Sequence, residues 1–245
     1  MISILILTYN RLKISREYIP AILSRAGDAE ILICDNGSTD GSADWAWEFG
    51  QANEQVSRVF LRDTNIGMEA VNTLAKEASG KYIIKIDDDI LPPVNFANRL
   101  VDAYEKVNEE KLLFLGWDMP WVTIPVSGGS TFATRSGHLP YLNGGGKEFS
   151  LPEGNIHLSY DPSKWMVNGA CRLSEREKFL EIGGHPEGIL YGVDYHVSLG
   201  AKNAGYWIGY FSPKDLLEHC DKPDSVEYRK FKDYELRRAK APRHV

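Results

Sequence analysis

Four short apolar segments alternate with helix-like stretches in the first third of the chain. They span residues 2–7, 30–34, 56–61 and 82–86, and apolar residues at helical spacing lie between them. Strands that alternate with helices form βαβ units, which build a parallel sheet covered by helices on both faces. The sequence therefore predicts an α/β fold with a mostly parallel central sheet flanked by helices.

Polar residues follow three of these predicted strands directly. They occupy positions 8–11 after the first strand, 35–36 after the second and 87–89 after the fourth. In parallel sheets, ligands bind in a crevice beyond the carboxyl ends of the strands. We therefore expect the three polar clusters to meet at one edge of the sheet and to form a binding site there.

The cluster at positions 87–89 consists of three consecutive aspartates, followed closely by Pro92-Pro93. Like charges repel, so a fold keeps such a run at a strand end where a cation or a hydrogen-bonding ligand compensates the charge. Hard divalent cations prefer oxygen ligands, and Mg²⁺ is usually held by one or two carboxylates together with substrate phosphates. The run predicts a divalent metal site, and an acidic turn in solvent is the alternative.

The composition argues against a membrane-spanning or disulfide-bonded protein. No apolar run approaches the length that crosses a bilayer, and no basic region precedes the apolar residues 2–7, which we interpret as a strand and not a signal peptide. The three cysteines, Cys34, Cys171 and Cys220, are widely spaced and odd in number, which fits a reducing compartment. We expect a cytoplasmic protein, with peripheral attachment to a membrane as the alternative.

The charge is unevenly distributed along the chain. Residues 228–245 carry seven basic and two acidic side chains, whereas the whole chain has a net charge of −6. A solvated helix face explains such a segment, and contact with an anionic partner is the sharper interpretation.

Taken in order, the motifs resemble those of family-2 glycosyltransferases with the GT-A fold. The resemblance covers residues 2–95 densely and returns over about 168–211. It implies a single GT-A domain over residues 1–245, with a nucleotide-sugar-binding half (about 1–116), an irregular acceptor-side half (about 117–211) and a basic C-terminal segment (about 212–245). The implied activity is metal-dependent transfer of a sugar from a nucleoside-diphosphate sugar to an acceptor hydroxyl.

The resemblance also implies which residues bind the donor. The nucleotide-sugar-binding candidates are Thr8, Tyr9, Asn10, Arg11, Asp35, Asn65, Gly67, Asp87 and Asp88. Thr8 and Tyr9 would line the base, and Asp35 would accept a hydrogen bond from it, although Asp-Asn-Gly is also a common turn sequence. Arg11 would contact phosphate, or would be an exposed cation at a helix start.

The metal candidates are Asp89 and His219. By resemblance, Asp89 would bind a divalent cation, Mn²⁺ or Mg²⁺, that bridges the donor diphosphate. His219 follows the last predicted strand, and some GT-A enzymes supply a C-terminal histidine as a further ligand. An imidazole ligand suits Mn²⁺ better than Mg²⁺.

Residues 188–195 resemble the family's Glu-Asp motif, with Val193 where glutamate is usual. Asp194 then matches the catalytic base of inverting members, and an N-cap of the following helix is its alternative role. Trp117 and Trp121, in or beside a Gly-rich stretch, are candidates for stacking on a sugar ring or for anchoring the core.

Two other functions remain open at this point. A nucleotidyltransferase would begin with a Gly-rich basic loop after the first strand, and the sequence there is Thr-Tyr-Asn-Arg. A nucleotide-sugar-binding protein without catalysis would fit the missing glutamate at position 193. The acceptor is open as well: a glycan, a lipid-linked sugar, a protein or hydroxymethylated bases in DNA.

Overall fold

A computed structural model describes residues 1–118, 122–125, 131–134, 146–159, 167, 169–189 and 193–220. The first part of the chain alternates strands and helices: β1 (Ile2–Thr8), α1 (Leu12–Arg25), β2 (Glu30–Asp35), α2 (Ser42–Ala52), β3 (Val56–Leu61), a 3₁₀ turn (Gly67–Glu69), α3 (Ala70–Glu77) and β4 (Tyr82–Asp87). This alternation is the βαβ pattern that the apolar segments predict.

The second part is richer in strands. It contains β5 (Ile90–Leu91), α4 (Phe96–Val107), β6 (Leu112–Trp117), β7 (Val122–Pro125), β8 (Thr131–Thr134), β9 (Lys147–Leu151), β10 (Gly154–Ser159), β11 (Cys171–Glu175), α5 (Arg176–Glu181), α6 (Val193–Asn203), β12 (Trp207–Pro213) and β13 (Glu218–His219). Two small pairs, β5 with β13 and β7 with β8, lie outside the main sheet.

Within the described ranges, the main sheet has nine strands in the order β3-β2-β1-β4-β11-β6-β12-β10-β9. The strands β1 to β4 pair in parallel. β11 enters antiparallel between β4 and β6, and β10 and β9 extend the far side as antiparallel strands. The α/β prediction is confirmed, with a parallel first half and a mixed second half.

Apolar side chains cover both faces of the sheet, which explains the continuous apolar runs of the first strands. On one face, Ile4 and Ile6 pack with Ile22 of α1 and Leu100 of α4. On the other face, Leu5 belongs to a separate cluster that includes side chains of α3, α5 and α6. With both faces covered by core, the polar residues of the first strands collect at the strand ends.

Trp117, at the end of β6, is a core residue. Its side chain is fully buried, its ring meets Phe211 edge-on with centroids 5.3 Å apart, and its Nε1–H donates to the carbonyl oxygen of Asp215 at 3.1 Å. The guanidinium of Arg99 lies 4.9 Å from the ring centre. The expectation that Trp117 stacks on a sugar is wrong because its ring has no exposed face, and Trp121 lies outside the described residues.

Candidate active site

The carboxyl ends of β1, β2 and β4 lie side by side, as the polar clusters predict. In the strand register, Thr8 is opposite Asp35, and Leu7 is opposite Asp87. The backbone N–H of Asn36 donates to the carbonyl oxygen of Thr8 at 2.9 Å. Parallel pairing therefore brings the segments at 8–11, 35–36 and 87–89 to one edge, although they are far apart in sequence.

The loops after β1 and β2 are tied together by Asn10, which adopts a left-handed conformation (φ 51°). Its backbone N–H donates to Ser38 Oγ at 2.8 Å, and its Oδ1 accepts from the N–H of Thr39 at 2.7 Å. Tyr9, the neighbouring candidate, is half-buried. Asn10 therefore shapes the rim of the site through contacts within the protein.

Asp35 is fully buried at the end of β2. Its Oδ1 accepts from the backbone N–H groups of Gly37 at 3.1 Å and Ser38 at 2.9 Å. Its Oδ2 is buried and has no hydrogen-bond partner among the described residues. An unpartnered buried carboxylate oxygen is costly, so it requires an explanation. One oxygen of Asp35 thus fixes the turn, and the other is free to accept a hydrogen bond from a ligand.

Asn65 and Gly67 reach this edge through Asn36, which the motif contained but the predicted site omitted. Asn36 Nδ2 donates to Asn65 Oδ1 at 2.8 Å and to the Gly67 carbonyl oxygen at 3.1 Å, and its Oδ1 accepts from the N–H of Ile66. Asn65 Oδ1 also accepts from the N–H of Gly67 at 2.7 Å. Asn36 therefore holds residues 65–67 against the end of β2.

Arg11 bridges two of the three consecutive aspartates. Its Nη1 lies 3.0 Å from Asp88 Oδ1 and its Nη2 lies 2.7 Å from Asp89 Oδ2. Asp88 Oδ2 accepts from Ser15 Oγ at 2.9 Å, and Ser15 Oγ is 2.6 Å from Thr8 Oγ1. Protein groups thus contact both carboxylate oxygens of Asp88 and the hydroxyl of Thr8. These contacts hold Arg11 and α1 at the edge of the sheet.

Burial and charge separate the pKa values of the first two aspartates. Burial raises the pKa of Asp88 to about 6. The charge of Arg11 acts to lower this pKa, and repulsion by Asp89 acts to raise it further. Burial also acts to raise the pKa of Asp87, but the charge of Lys85 and its hydrogen bond outweigh it and lower that pKa. Asp87 is the most open of the three, with 39% of its side chain exposed.

Asp89 and His219 meet although 130 positions separate them in the chain. The pairing of β13 with β5 sets His219 opposite Ile90, and His219 Nε2 lies 3.7 Å from Asp89 Oδ2. Asp89 Oδ1 and His219 Nδ1 are both buried and lack hydrogen-bond partners within the part of the chain that the structure describes. A carboxylate oxygen and an imidazole nitrogen without protein partners fit the donor set that a divalent cation requires.

Three or more His, Cys, Asp or Glu side chains do not converge on a common metal position within the described ranges. A cation at Asp89 and His219 would therefore need ligands beyond the described His, Cys, Asp and Glu side chains, such as water or phosphate oxygens of a substrate. This is the usual arrangement for Mg²⁺ in sites that bind nucleotides.

Asp194 lies beside Gly169, close to the end of β4. A Cβ placed on Gly169 would be 2.8 Å from Asp194 Oδ1 and 3.1 Å from Lys85 Nζ, and Lys85 pairs with Asp87. The helix α6 begins at Val193, so Asp194 lies in its first turn and not before it. About a third of the Asp194 side chain, 34%, is exposed.

The sequence analysis missed three buried polar residues beneath Asp194: Lys85, Arg172 and His185. Arg172 Nη1 lies 3.5 Å from Asp194 Oδ1, and Arg172 Nη2 lies 3.1 Å from His185 Nε2. The signal that could have found Lys85 is a charge inside the apolar strand Ile-Ile-Lys-Ile. For Arg172 and His185, no local pattern indicates burial.

The pH dependence of folding should report on His185. Burial, together with the charges of Arg172 and Lys85, holds its pKa well below the ordinary value of 6.5. The unfolded chain therefore binds a proton that the folded chain does not, so stability is lost as the pH falls below that value. We expect this group to remove up to about 1.4 kcal/mol of unfolding free energy per pH unit below about 6.5.

His185→Gln keeps an acceptor for Arg172, and its unfolding free energy in urea should fall less between pH 7.5, 6 and 5 than that of the unsubstituted protein. His196→Gln, which changes an exposed histidine, is the matched control and should retain the slope. An unchanged slope in His185→Gln would contradict the assignment of the buried neutral imidazole.

Comparison with known proteins decides the family. Residues 3–179 match the family model of glycosyl transferase family 2, which is well over half of the chain. The chain belongs to glycosyl transferase family 2. The family prediction made from the order and spacing of the motifs is therefore confirmed.

Two curated relatives align with most of this family-2 chain. The succinoglycan biosynthesis protein ExoA of Rhizobium meliloti (strain 1021) is 29% identical over 186 residues, covering 74% of this chain and 51% of ExoA. The glycosyltransferase AglE of Haloferax volcanii is 25% identical over 221 residues, covering 84% of this chain and 62% of AglE. The chain thus spans between half and two thirds of the length of these relatives.

The fold has solved counterparts. The mannosyltransferase PcManGT from Pyrobaculum calidifontis, in complex with GDP-Man and Mn²⁺, is similar with a TM-score of 0.61 and 15% identity, covering 97% of this chain and 62% of PcManGT. The predicted GT-A fold is confirmed. Within the described part of the family-2 chain, the helices lack the combination of length and apolar character needed to cross a bilayer.

Proposed function

We propose that this chain is a metal-dependent, inverting glycosyltransferase that moves a sugar from a nucleoside-diphosphate sugar to an acceptor hydroxyl. The observation that carries the proposal is that Asp35 and Asp89 lie at the carboxyl ends of β2 and β4 on one edge of the sheet, and that Asp194 lies against Gly169, whose carbonyl oxygen Lys85 of β4 holds. Asp35 has a free buried oxygen, Asp89 neighbours an imidazole, and Asp194 is partly open to solvent.

The donor base would bind at the end of β2. Among the described residues, Oδ2 of Asp35 is an acceptor without a donor, and bases such as uracil and guanine present N–H donors. Asn36 keeps the loop of Asn65 and Gly67 against the end of β2, so the loop would form one wall of the base pocket. Tyr9 would contribute the opposite wall, and Asp87, exposed at the edge, would contact the ribose.

The diphosphate would lie over the acidic run. Asp89 and His219 would hold Mn²⁺ or Mg²⁺, and the bound cation would stabilise the negative charge of the departing nucleoside diphosphate as a Lewis acid. Arg11 already neutralises Asp88 and Asp89 and offers a second cation beside the phosphates. The Mn²⁺ in the PcManGT complex supports a divalent metal for this chain, and the imidazole favours Mn²⁺ over Mg²⁺.

Asp194 would act as the general base. As the acceptor oxygen attacks the anomeric carbon, the new C–O bond forms, the bond from that carbon to the phosphate oxygen breaks, and Asp194 takes the proton of the acceptor hydroxyl. Attack from the face opposite the leaving group inverts the anomeric centre. Arg172 lies beneath this carboxylate, with its Nη1 3.5 Å from Asp194 Oδ1.

The acceptor is proposed by class only. The name of ExoA, a succinoglycan biosynthesis protein, supports a glycan acceptor, and lipid-linked sugars, proteins or modified DNA are the other outcomes. The single-domain organisation over 1–245 and a cytoplasmic or membrane-peripheral location stay predictions. The basic C-terminal segment lies outside the described residues beyond position 220.

A thermal-shift screen tests the proposal. The protein is heated with UDP-, GDP-, dTDP- and CMP-sugars, each with and without Mn²⁺. A ligand that binds only the native state at one hundred times its Kd stabilises it by about 2.7 kcal/mol, so the true donor should raise Tm by several degrees and only with metal. The anomeric configuration of the product, read by NMR, then separates inversion from retention.

Three results would contradict the proposal. If none of the four donor classes stabilises the protein, the proposed donor site is wrong. Release of pyrophosphate would indicate nucleotidyl transfer. A bound donor that is neither transferred nor hydrolysed would indicate a nucleotide-sugar-binding protein without catalysis.

A further inference from the structure

Two buried cationic side chains occupy paired positions on adjacent strands of the sheet. Lys85 of β4 is directly opposite Arg172 of β11, and the two residues are 6% and 3% exposed. Like charges at directly opposite positions destabilise a sheet, and burying each charge carries a further desolvation penalty. A core pair of this kind persists only where nearby groups compensate both charges.

Each cation has one carboxylate partner and one backbone carbonyl partner. Lys85 Nζ pairs with Asp87 and donates to the carbonyl oxygen of Gly169 at 2.6 Å. Arg172 Nη1 donates to the carbonyl oxygen of Val167 at 3.3 Å and lies 3.5 Å from Asp194 Oδ1. The two cations therefore hold the segment before β11, through the carbonyl oxygens of residues 167 and 169.

Further contacts immobilise the guanidinium of Arg172. Its Nη2 lies 3.1 Å from His185 Nε2, and its central carbon lies 4.6 Å from the ring centre of Phe114. Asn72 fixes the backbone of His185, since its Oδ1 accepts from the His185 N–H at 2.8 Å and its Nδ2 donates to the His185 carbonyl oxygen at 2.9 Å. Arg172 is thus held in one orientation from several sides.

Gly169 allows the two ion pairs to meet. An added Cβ there would lie 2.8 Å from Asp194 Oδ1 and 3.1 Å from Lys85 Nζ, so both side chains press against the same point of the backbone. The result is a row of two ion pairs, Arg172–Asp194 and Lys85–Asp87, which meet at Gly169 between the first turn of α6 and the end of β4. We call it the charge row.

We propose that Lys85 and Arg172 are positioning residues that fix Asp194 relative to the donor-binding strand end. The catalytic meaning of this proposal rests on the proposed function, in which Asp194 takes the acceptor proton and Asp87 contacts the donor. The charge row connects the two indirectly, because Lys85 holds the carbonyl oxygen of Gly169 and Asp194 lies against Gly169. A carboxylate at the start of a helix is otherwise free to rotate, so the row sets where the base meets the acceptor.

A double-mutant cycle of Lys85→Met and Asp194→Asn tests the positioning role in transfer. Displacing a base by about 1 Å costs on the order of 10²-fold, so Lys85→Met should lower kcat about 10- to 100-fold. In the Asp194→Asn background the same change should cost less than about threefold, because coupled groups are non-additive. Equal losses in both backgrounds would overturn the proposal.

Lys85→Arg keeps the charge and should retain more activity than Lys85→Met. Lys81→Met is the matched control, since Lys81 precedes the same strand but is exposed, and its kcat should stay unchanged. A purely structural role for Lys85 would lower the amount of folded protein in both Lys85 variants without this order of kcat values.

Hydrogen exchange on the free protein tests the positioning without any activity. In Lys85→Met, and in Arg172→Lys as a second variant, amides of residues 193–197 should exchange at least about tenfold faster. In the unsubstituted protein, opening the start of α6 must break the charge row, and in these variants that cost is lost. Amides of β1 should keep their protection, and Lys81→Met should show no change.

Unchanged protection at 193–197 in both variants would overturn the proposal even if the chain transfers sugar. If the chain transfers no sugar at all, the proposed function fails, and the exchange result still decides whether Lys85 and Arg172 position Asp194.

Discussion

Asp194→Asn should lower the rate of sugar transfer about 10²- to 10⁴-fold and leave donor affinity nearly unchanged. The substitution keeps the size of the side chain and its place against Gly169 but removes the group that accepts the proton. Because Asp194 pairs with Arg172 and lies against Gly169, away from the contacts of Asp35 and Asp89, the donor pocket at those two residues should remain intact. The loss should therefore appear in kcat and not in the KM for the donor.

The measurement compares single-turnover transfer with donor-induced thermal shift in the same preparations. Glu177→Gln, which neutralises an exposed carboxylate on α5, is the matched control and should transfer at the unsubstituted rate. If Asp194→Asn transfers sugar at nearly the full rate, Asp194 is not the base. Its role would then be to stabilise the start of α6.

Asp89→Asn should abolish the metal-dependent part of the donor's thermal shift and reduce transfer at least about 10²- to 10³-fold, as removal of one electrostatic stabiliser typically does. Its Oδ1 is buried without a partner among the described residues, and Oδ2 already receives the Arg11 guanidinium. An amide keeps one acceptor oxygen but loses the charge, so binding of a divalent cation should weaken while the fold remains.

The metal effect is separated from a general loss of stability by heating the variant with and without Mn²⁺ in the absence of donor. Asp63→Asn, an exposed aspartate after β3, serves as the control and should keep the full metal-dependent shift. A shift that persists undiminished in Asp89→Asn would show that other groups hold the cation.

Much of the donor half was predictable because its signals are local. Apolar runs predicted strands at 2–7, 30–34, 56–61 and 82–86. The structure has β1 to β4 at these positions, within two residues at either end. Parallel pairing then made it possible to expect the clusters at 8–11, 35–36 and 87–89 at one edge. For Asp35, the turn role and a free acceptor oxygen coexist, since each of its oxygens has a different environment.

Other predictions failed or fell short where burial decides the role. Trp117 looked available for stacking because it lies next to a Gly-rich stretch, but its indole fills the core beside Phe211. Asp88 looked like a nucleotide contact, yet Arg11 and Ser15 occupy both of its oxygens. Sequence neighbours do not reveal which side of a strand end faces the interior.

The sequence by itself determined the α/β order, the family motifs and the residue types at the ends of β1, β2 and β4. These follow from periodicity and composition within windows of ten or so residues. Only the tertiary structure decided that β11 inserts antiparallel between β4 and β6, that β13 carries His219 to Asp89, and that Lys85 and Arg172 underlie Asp194. Such contacts join positions between 22 and 130 residues apart, and they depend on packing of the whole chain, which no local pattern encodes.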